Sequence, residues 1–410
     1  EEEAGFLARA VPEILESDLA PLALELAAAG IGDPSQLAFL DPPPAGTLSE
    51  ARSLLEQLGA VDAAGRITHH GRALVRLSLA PRLAHMVLRG GELGSRDTAC
   101  ELAALLSERD VLRPGDGVSD ADIRIRLDLL RGAVTRSDVD RQALRRARTE
   151  ADACRRSRRL APVESQGASV GVLLALAYPD RVAQRRPGQY EGGRFLLRNG
   201  LGARLSVQGL SREEYLVAAE LDGRLPESGI LRAAPITVEE IRSAFAGDIT
   251  LEEVVEWDPG SRAVKARRRE RLGAIILREY PLRDPDPGLV TKALLEGIRR
   301  EPIASLPWSE GSRSVRQRVA FLRRFDPAWP DLSDAALERD VERWLAPYLG
   351  GLRRLDDLGR LDWVAALVAW LTREQRSELE RLAPTHVTVP SGSRLRVDYA
   401  DPEAPVLAVH

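Results

Sequence analysis

Leucines recur at helical spacing near the start of the chain. They lie three or four residues apart, at Leu15, Leu19, Leu22 and Leu26. This spacing puts them on one face and predicts a helix over residues 12–30. A second helix is predicted over residues 49–59, where apolar positions repeat in the same way and a serine can serve as the N-cap.

The stretch after the second helix combines a tight turn with the start of another helix. Gly65 supplies the positive φ that a short hairpin needs. Thr68 is a predicted N-cap, which places His69 and His70 in the first helical turn. Because adjacent side chains on a helix diverge by about 100°, these histidines cannot share one ligand, and we interpret them as structural. Two helices, a hairpin and a helix predict a winged helix over residues 12–80.

The period of the apolar pattern changes twice along the rest of the chain. It stays helical over residues 81–165, which predicts a helical bundle. Over residues 166–281 short strand-like runs alternate with glycine-rich turns, which predicts an OB-like β-barrel with one helix. Residues 282–410 return mainly to helices and predict a mixed, mostly helical C-terminal domain. The predicted fold class is therefore multidomain α+β.

Composition restricts the kind of protein that these domains can form. The chain has 410 residues, and its apolar runs are shorter than the roughly 18 residues of a membrane span, so no membrane contact is expected. Two cysteines and five histidines suit neither a disulfide framework nor a metal centre, and they favour a reducing cytoplasm. The net charge of −4 argues against strong unaided nucleic-acid binding. Because the first residue is not methionine, we expect a part of a longer protein.

Several sequence strings resemble one family of proteins. PEILESDLAPLALELAAAGI (12–31), LLEQLGAVDAAGRIT (54–68) and LAPRLAHMVL (79–88) resemble the C-terminal half of DEAH-type RNA helicases. LPWSEGSRSVRQRVAFLR (306–323) and VPSGSRLRVDYADPEAPVLAV (389–409) narrow the resemblance to the bacterial HrpB family. The resemblance covers essentially the whole chain and implies that the helical bundle is the ratchet-like one of that family.

The resemblance also implies an activity that this chain would share with motor domains. Helicases of this family use ATP and Mg²⁺, and their bundle and barrel hold single-stranded RNA against the RecA-like motor. Residues 1–11 would be the tail of the second RecA-like domain. The chain has no GxxxxGK[ST] phosphate loop and no DEAH string, so the phosphates and Mg²⁺ lack their usual ligands. We expect ATP-dependent helicase activity of the full-length protein, but no cofactor and no activity in this chain alone.

An arginine-rich helix at residues 141–162 is the first predicted RNA contact. Residues 141–160 contain eight arginines and two acids, a local charge of +6. A cationic track of this kind can follow a phosphate backbone. The alternative is a solvated helix face balanced by nearby acids. Arg156 lies beside a stripe of five arginines on one helical face. These are Arg141, Arg145, Arg148, Arg155 and Arg159.

The predicted barrel offers a second cationic region over residues 178–212. Its glycines would let a backbone approach phosphate closely. The alternative is an edge strand whose charges prevent aggregation. A third run at residues 262–273 places arginines on both faces of a strand, and we favour solvent exposure for it. The candidate RNA contacts of the barrel are Arg185, Arg186, Arg198 and Arg204.

Other chemistry finds little support in the sequence. Aromatic residues make up only 4% of the chain, and the tryptophans lie beside leucines and prolines, which indicates packing rather than base stacking. No adjacent carboxylate pair has a histidine at useful spacing, so independent hydrolase activity is not expected. The alternative function is a stand-alone nucleic-acid-binding or protein-docking scaffold. Residues 49–59 carry two acids and one arginine, which disfavours insertion into DNA, while residues 282–410 leave room for a protein partner.

Overall fold

The chain begins with four helices: α1 (Glu13–Glu16), α2 (Ala20–Ala28), α3 (Ala45–Gln57) and α4 (His69–Val75). The structure is a computed structural model that describes residues 12–113, 120–157, 167–188, 192–206, 209–224, 226–390 and 392–407. The tail predicted at residues 1–11 lies outside this part. The helix predicted over residues 12–30 is interrupted, because the Asp18 carboxylate accepts a hydrogen bond from the Ala20 N–H at 2.9 Å and α2 starts there.

A short turn joins α3 to α4, as the sequence predicts. Val61 and Ile67 form an antiparallel bridge, and Gly65 has a φ of +73° between them. Thr68 caps α4, because its Oγ1 accepts a hydrogen bond from the backbone N–H of Gly71 at 3.0 Å. The predicted order of helix, turn and helix is therefore present, and its assignment as a winged helix stays a prediction.

Five helices follow: α5 (Pro81–Glu92), α6 (Arg96–Ser107), α7 (Ile123–Arg131), α8 (Arg141–Ser157) and α9 (Val170–Ala177). Helices α5 and α8 both pack against α6, and α9 packs against α5. The buried side of α8 is a row of small residues, Ala143, Ala147 and Ala151. Ala143 and Ala147 pack with Leu105 of α6 and with leucines of α7. Small side chains at these positions let α8 approach its neighbours closely.

Five strands close a barrel in the order β1-β2-β3-β5-β4. They are β1 (Val182–Arg185), β2 (Gly193–Leu197), β3 (Gly202–Leu205), β4 (Tyr215–Leu221) and β5 (Glu227–Pro235). Strand β3 runs parallel to β5, and the other neighbours are antiparallel. Phe195, Leu197 and Leu216 are fully buried inside. A capping box at Thr237 starts α10 (Val238–Ala244) after the last strand. The predicted barrel is present, and its OB-like type stays a prediction.

Three further strands form a separate sheet in the order β6-β7-β8. They are β6 (Thr250–Asp258), β7 (Ala263–Leu272) and β8 (Ile275–Pro281). The sequence predicts that the run at residues 249–258 belongs to the barrel, and this is wrong. Strand β4 pairs with β1, which closes the barrel and leaves no edge for another strand. The chain divides into two compact units. The first unit comprises residues 1–250 and 271–277, and the second comprises residues 251–270 and 278–410.

The described part of the second unit contains the helices α11 (Pro287–Ile298), α12 (Glu310–Arg323), α13 (Asp334–Arg339), α14 (Val341–Leu345), α15 (Trp363–Val368) and α16 (Arg373–Leu382). A hairpin is formed by β9 (His386–Thr388) and β10 (Arg394–Asp398), which also pairs with β11 (Val406–Leu407). Across the described ranges, every helix is too short or too polar to cross a lipid bilayer.

Tryptophan rings organise the core of the second unit. The ring centroids of Trp308 and Trp363 lie 4.7 Å apart, and those of Trp344 and Trp370 lie 6.4 Å apart. Trp363 is only 2% exposed, and its indole N–H donates to the Leu358 carbonyl oxygen at 3.1 Å. The interpretation of these tryptophans as packing residues is therefore confirmed.

Candidate nucleic-acid interface

Helix α8 has a buried alanine side and an exposed arginine side. Its N-terminus is fixed by Asp140, whose carboxylate accepts hydrogen bonds from the N–H groups of Gln142 and Ala143 at 2.8 and 3.0 Å. The side chains of Arg141 and Arg145 are exposed, and neither has an ion-pair or hydrogen-bond partner among the described residues. These two guanidinium groups keep their charge and their donors for a ligand.

Arg156 is exposed at the other end of α8, and its side chain likewise has no partner in the part of the chain that the structure describes. The sequence analysis places Arg156 beside the stripe rather than within it. Arg159, the last member of the stripe, lies outside the described residues. The described candidates on α8 with an available guanidinium are thus Arg141, Arg145 and Arg156.

Two other arginines of the predicted stripe connect α8 to its neighbours. Arg148 donates from Nε to the Leu130 carbonyl oxygen at 2.9 Å and from Nη2 to that of Leu129 at 3.1 Å. These carbonyls belong to the last turn of α7, where helices leave acceptors unsatisfied. Arg155 donates from Nη2 to Glu101 Oε1 of α6 at 2.5 Å. Both guanidinium groups therefore hold the bundle together, which leaves them fewer donors for RNA.

The barrel contributes two exposed arginines with no ion-pair partner among the described residues. These are Arg185 at the end of β1 and Arg204 on β3. Arg204 is directly opposite Arg194 across the β2–β3 ladder, and the Arg194 Nε lies 3.4 Å from Glu227. Because each barrel strand has two paired neighbours, these arginines do not guard an open sheet edge.

The two remaining barrel candidates have acidic partners. Arg186 lies 3.9 Å from Glu227, a loose contact at the surface. Arg198 lies 2.8 Å from the Asp248 carboxylate, and its guanidinium carbon is 5.0 Å from the Phe245 ring centroid. Arg198 thus attaches the β2–β3 turn to the segment after α10, and its contacts are those of a structural residue.

A groove of about 660 Å³ lies between the end of α6 and the barrel beside Arg204. Arg109 and Arg224 line it, and both side chains are exposed. These two residues are not predicted from the sequence, because each stands in a segment without a run of arginines. The groove also contains four acids, so its charge is mixed. They are Glu108, Asp110, Glu220 and Asp222.

The arginines of β7 pair with glutamates on the neighbouring strands. Arg267 and Arg269 lie 3.1 and 2.6 Å from the carboxylate of Glu279 on β8. Arg268 lies 2.5 Å from Glu253 on β6. Opposite charges directly across a sheet neutralise each other and stabilise the pairing. This third run therefore has acidic neighbours that Arg141, Arg145 and Arg156 of α8 lack among the described residues.

His69 and His70 do not form a site together. The Nε2 of His70 lies 2.8 Å from the Nδ1 of His85 on α5, so one ring nitrogen donates to the other. Burial lowers the pKa of His85 to about 3, and burial also lowers the pKa of His70. Within the described ranges, no group of three or more His, Cys, Asp or Glu could hold a metal ion. These contacts agree with a structural role.

Comparison with known proteins gives two matches to family models. One, described as ATP-dependent helicase C-terminal, covers residues 344–410, and the other, ATP-dependent RNA helicase HrpB, connector region, covers residues 248–282. The connector match thus falls on the sheet β6-β7-β8 rather than on the barrel.

Two curated relatives illustrate the similarity over different lengths. The chain is 32% identical over 407 residues to ATP-dependent RNA helicase HrpB of Escherichia coli (strain K12), across 98% of the chain and 48% of that protein. It is 34% identical over 102 residues to probable ATP-dependent RNA helicase DHX35 of Homo sapiens, across 25% of the chain and 14% of that protein. The chain therefore spans about half the length of the E. coli relative.

Two crystal structures of E. coli proteins resemble the fold over 100% of the chain. The DExH-box NTPase HrpB gives a TM-score of 0.54 at 31% identity, with 48% of that chain covered. The DEAH/RHA helicase HrpB gives a TM-score of 0.55 at 30% identity, with 49% covered. Sequence and fold thus point to the same group of proteins.

Proposed function

Since the chain belongs to the HrpB family of DEAH-type RNA helicases and matches the C-terminal half of its relatives, we propose that it is the region that engages single-stranded RNA in an ATP-dependent RNA helicase. In the whole protein, RecA-like motor domains would hydrolyse ATP with Mg²⁺ in the cytoplasm. This chain's own residues do not fit such a site, since its sequence has no phosphate loop and its described residues include no cluster of metal ligands.

The observation that carries the proposal is the set of exposed, unpaired arginines on α8. Arg141, Arg145 and Arg156 have no acidic partner among the described residues, although the chain as a whole has a net charge of −4. A guanidinium without an acidic neighbour keeps its full charge for phosphate, and phosphate contacts dominate the affinity of proteins for nucleic acid. Arg185 on the barrel extends the same chemistry within the first unit, whereas Arg204 lines a groove that also contains four acids.

The proposed grip is mainly electrostatic. Trp308, Trp344 and Trp363, which could otherwise stack on bases, are buried in the core of the second unit. Binding through phosphates is sequence-independent and falls steeply with salt, whereas stacking tolerates salt better. We therefore propose contacts to the RNA backbone rather than to bases.

The predicted domains have proposed roles in this scheme. The winged helix at residues 12–80 would link the motor to the bundle, and the ratchet-like bundle at 81–165 and the OB-like barrel at 166–281 would hold RNA. Residues 282–410 would form a further domain with room for a protein partner.

The test is the affinity of the chain for fluorescent single-stranded RNA from about 50 to about 300 mM salt. We expect a steep linear fall of log affinity with log salt. Changing Arg141, Arg145 and Arg156 together to glutamate should lower affinity about 10- to 100-fold and reduce the slope by about 2. Circular dichroism verifies that the variant is folded.

A matched control changes three exposed arginines of the second unit that also lack partners among the described residues, namely Arg300, Arg343 and Arg373, to glutamate. The net charge change is the same, so an equal loss of affinity in both variants would refute the assignment to α8. Absence of RNA binding by the folded chain at low salt would contradict the proposal and favour a protein-docking role.

A further inference from the structure

The two cysteines of the chain lie together although they are 54 residues apart in sequence. The Sγ atoms of Cys154 and Cys100 are 2.7 Å apart across the contact between α8 and α6. A disulfide needs about 2.05 Å between its sulfurs, so only a small approach separates this pair from covalent distance. Both cysteines are free thiols in the structure.

The surroundings of the two sulfurs differ. Cys100 is completely buried on α6, whereas Cys154 is only partly buried near the C-terminal end of α8. Arg155 is next in sequence to Cys154 and is fixed by Glu101, and Arg96 lies at the start of α6. Cys154 is therefore the thiol that both solvent and a small oxidant can reach first.

The charges around the pair favour one thiolate. The hydrogen bond with Cys100 lowers the pKa of the Cys154 thiol, burial opposes this effect, and the positive charges of Arg96 and Arg155 lower the pKa further. The same hydrogen bond and burial raise the pKa of the Cys100 thiol. A reachable cysteine whose thiolate is stabilised, beside a second thiol, is the arrangement found in peroxide-sensitive proteins.

We propose that Cys154 and Cys100 are a peroxide-reactive pair that closes to an intramolecular disulfide between α8 and α6. The Cys154 thiolate attacks a hydroperoxide, the O–O bond breaks, and Cys154 sulfenic acid and hydroxide (or alkoxide) form. The Cys100 sulfur then attacks the sulfenic sulfur, the S–O bond breaks, and the thiol proton leaves with the hydroxyl as water. The two cysteines lose two electrons in total, which reduce the peroxide. A dithiol reductant reverses the reaction.

The disulfide would attach the C-terminal end of α8 to α6. Arg155 and Glu101 already connect the two helices at this end, so the bond reinforces an existing contact rather than creating a new one. The segment between the cysteines contains α7 and most of α8, and closing it restricts the unfolded chain. This inference depends on the sulfur geometry and not on the proposed RNA function.

The test treats the full chain with a small molar excess of hydrogen peroxide, alkylates the remaining thiols and maps the peptides by mass spectrometry. We expect one linked peptide pair containing Cys100 and Cys154, lighter by two hydrogens than the separate thiol peptides. Dithiothreitol should restore both thiols, and the oxidised chain should melt about 5 °C higher than the reduced one. Non-reducing electrophoresis should show a monomer.

Two variants assign the roles of the sulfurs. In Cys100→Ser, Cys154 should accumulate as a sulfenic acid that dimedone traps, because no second thiol remains to resolve it. In Cys154→Ser, Cys100 should react with peroxide at least about tenfold more slowly than Cys154 does in Cys100→Ser. Free thiols on both residues after peroxide, oxidation of either residue only to sulfinic acid, or links only between separate chains would overturn the proposal. The experiment on the unaltered chain decides it even if a variant does not fold.

Discussion

Helix α8 of the first unit and strand β7 of the second unit place their arginines in different surroundings. In the first unit, α8 buries a row of alanines and leaves Arg141 and Arg145 exposed without acidic partners among the described residues. In the second unit, Arg267 and Arg269 of β7 share the carboxylate of Glu279. Arginine content alone therefore does not identify a nucleic-acid interface, and the neighbours of each guanidinium decide whether its charge is available.

The cores of the two units differ as well. All six tryptophans lie at or beyond residue 257, and four of their rings contact each other in the second unit. The core of the first unit consists mainly of leucine, alanine and valine. Tryptophan fluorescence therefore reports unfolding of the second unit, whereas far-UV circular dichroism reports both. The two methods together therefore distinguish a change in the second unit from a change in the first.

The largest effect is expected from Trp363→Ala. The ring is 2% exposed and packs against Trp308 at 4.7 Å between centroids, so its removal leaves a large cavity. The free energy of unfolding, measured by urea titration with tryptophan fluorescence, should fall by about 3–5 kcal/mol. Trp370→Ala, at a partly exposed ring, should cost less. Equal losses in the two variants would contradict the view that one buried ring cluster supports this unit.

A smaller loss of stability is expected in the first unit when the pH is lowered. Burial holds the pKa of His85 at about 3, below its unfolded value of about 6.5, so the unfolded chain binds the proton first as pH falls. His85 therefore stabilises the fold above pH 6.5, and this contribution is lost as pH falls from about 6.5 toward about 3. Between pH 6.5 and 4.5 the loss should be about 2 kcal/mol, measured by urea titration with circular dichroism.

The second unit provides the contrast for this pH experiment. A hydrogen bond from Lys265 lowers the pKa of Asp258 to about 2, so its stabilisation is present above about pH 3.8 and is lost only as pH falls toward about 2. Between pH 6.5 and 4.5, the free energy of unfolding measured by fluorescence should therefore fall less than that measured by circular dichroism. In His85→Gln, the free energy of unfolding measured by circular dichroism should depend less steeply on pH. An unchanged slope in this variant would show that His85 is not the responsible group.

The smallest effect on stability is expected from Glu256→Gln combined with Glu279→Gln. The two carboxylates face the arginines of β7, and exposed ion pairs of this kind contribute only about 0.5–1 kcal/mol. The freed arginines should then resemble those of α8, so RNA affinity should rise and the salt slope should steepen by about 1. Fluorescence anisotropy with single-stranded RNA measures both.

The control for this change is Glu338→Gln with Glu374→Gln, which removes the same charge from exposed positions of the second unit. If this control raises RNA affinity equally, net charge rather than the pairing of β7 arginines controls binding. If neither variant changes affinity, the acidic neighbours that distinguish the β7 arginines from those of α8 do not affect RNA binding.

Much of the local structure, and the family, could be predicted from the amino-acid residues alone. The turn at Gly65 and the N-cap at Thr68 occur where their residue types predict them. The prediction that a serine is the N-cap of the helix at residues 49–59 is wrong, because α3 already begins at Ala45 after Pro44. Caps and turns depend on side chains and backbone groups a few residues apart, so the sequence contains the whole interaction. Longer helices were less accurate, because the helix predicted over residues 12–30 is interrupted before Ala20.

Which members of a pattern are available for chemistry depends on contacts between distant elements. Arg145 and Arg148 stand on one predicted stripe, yet only Arg148 reaches the carbonyl oxygens at the end of α7, 18 and 19 residues earlier in sequence. Likewise, Cys100 and Cys154 meet only because α8 packs on α6. The barrel closes before β6 for a similar reason, since β4 pairs with β1. Such contacts join distant segments, and their geometry follows from packing of whole elements rather than from the spacing of residues.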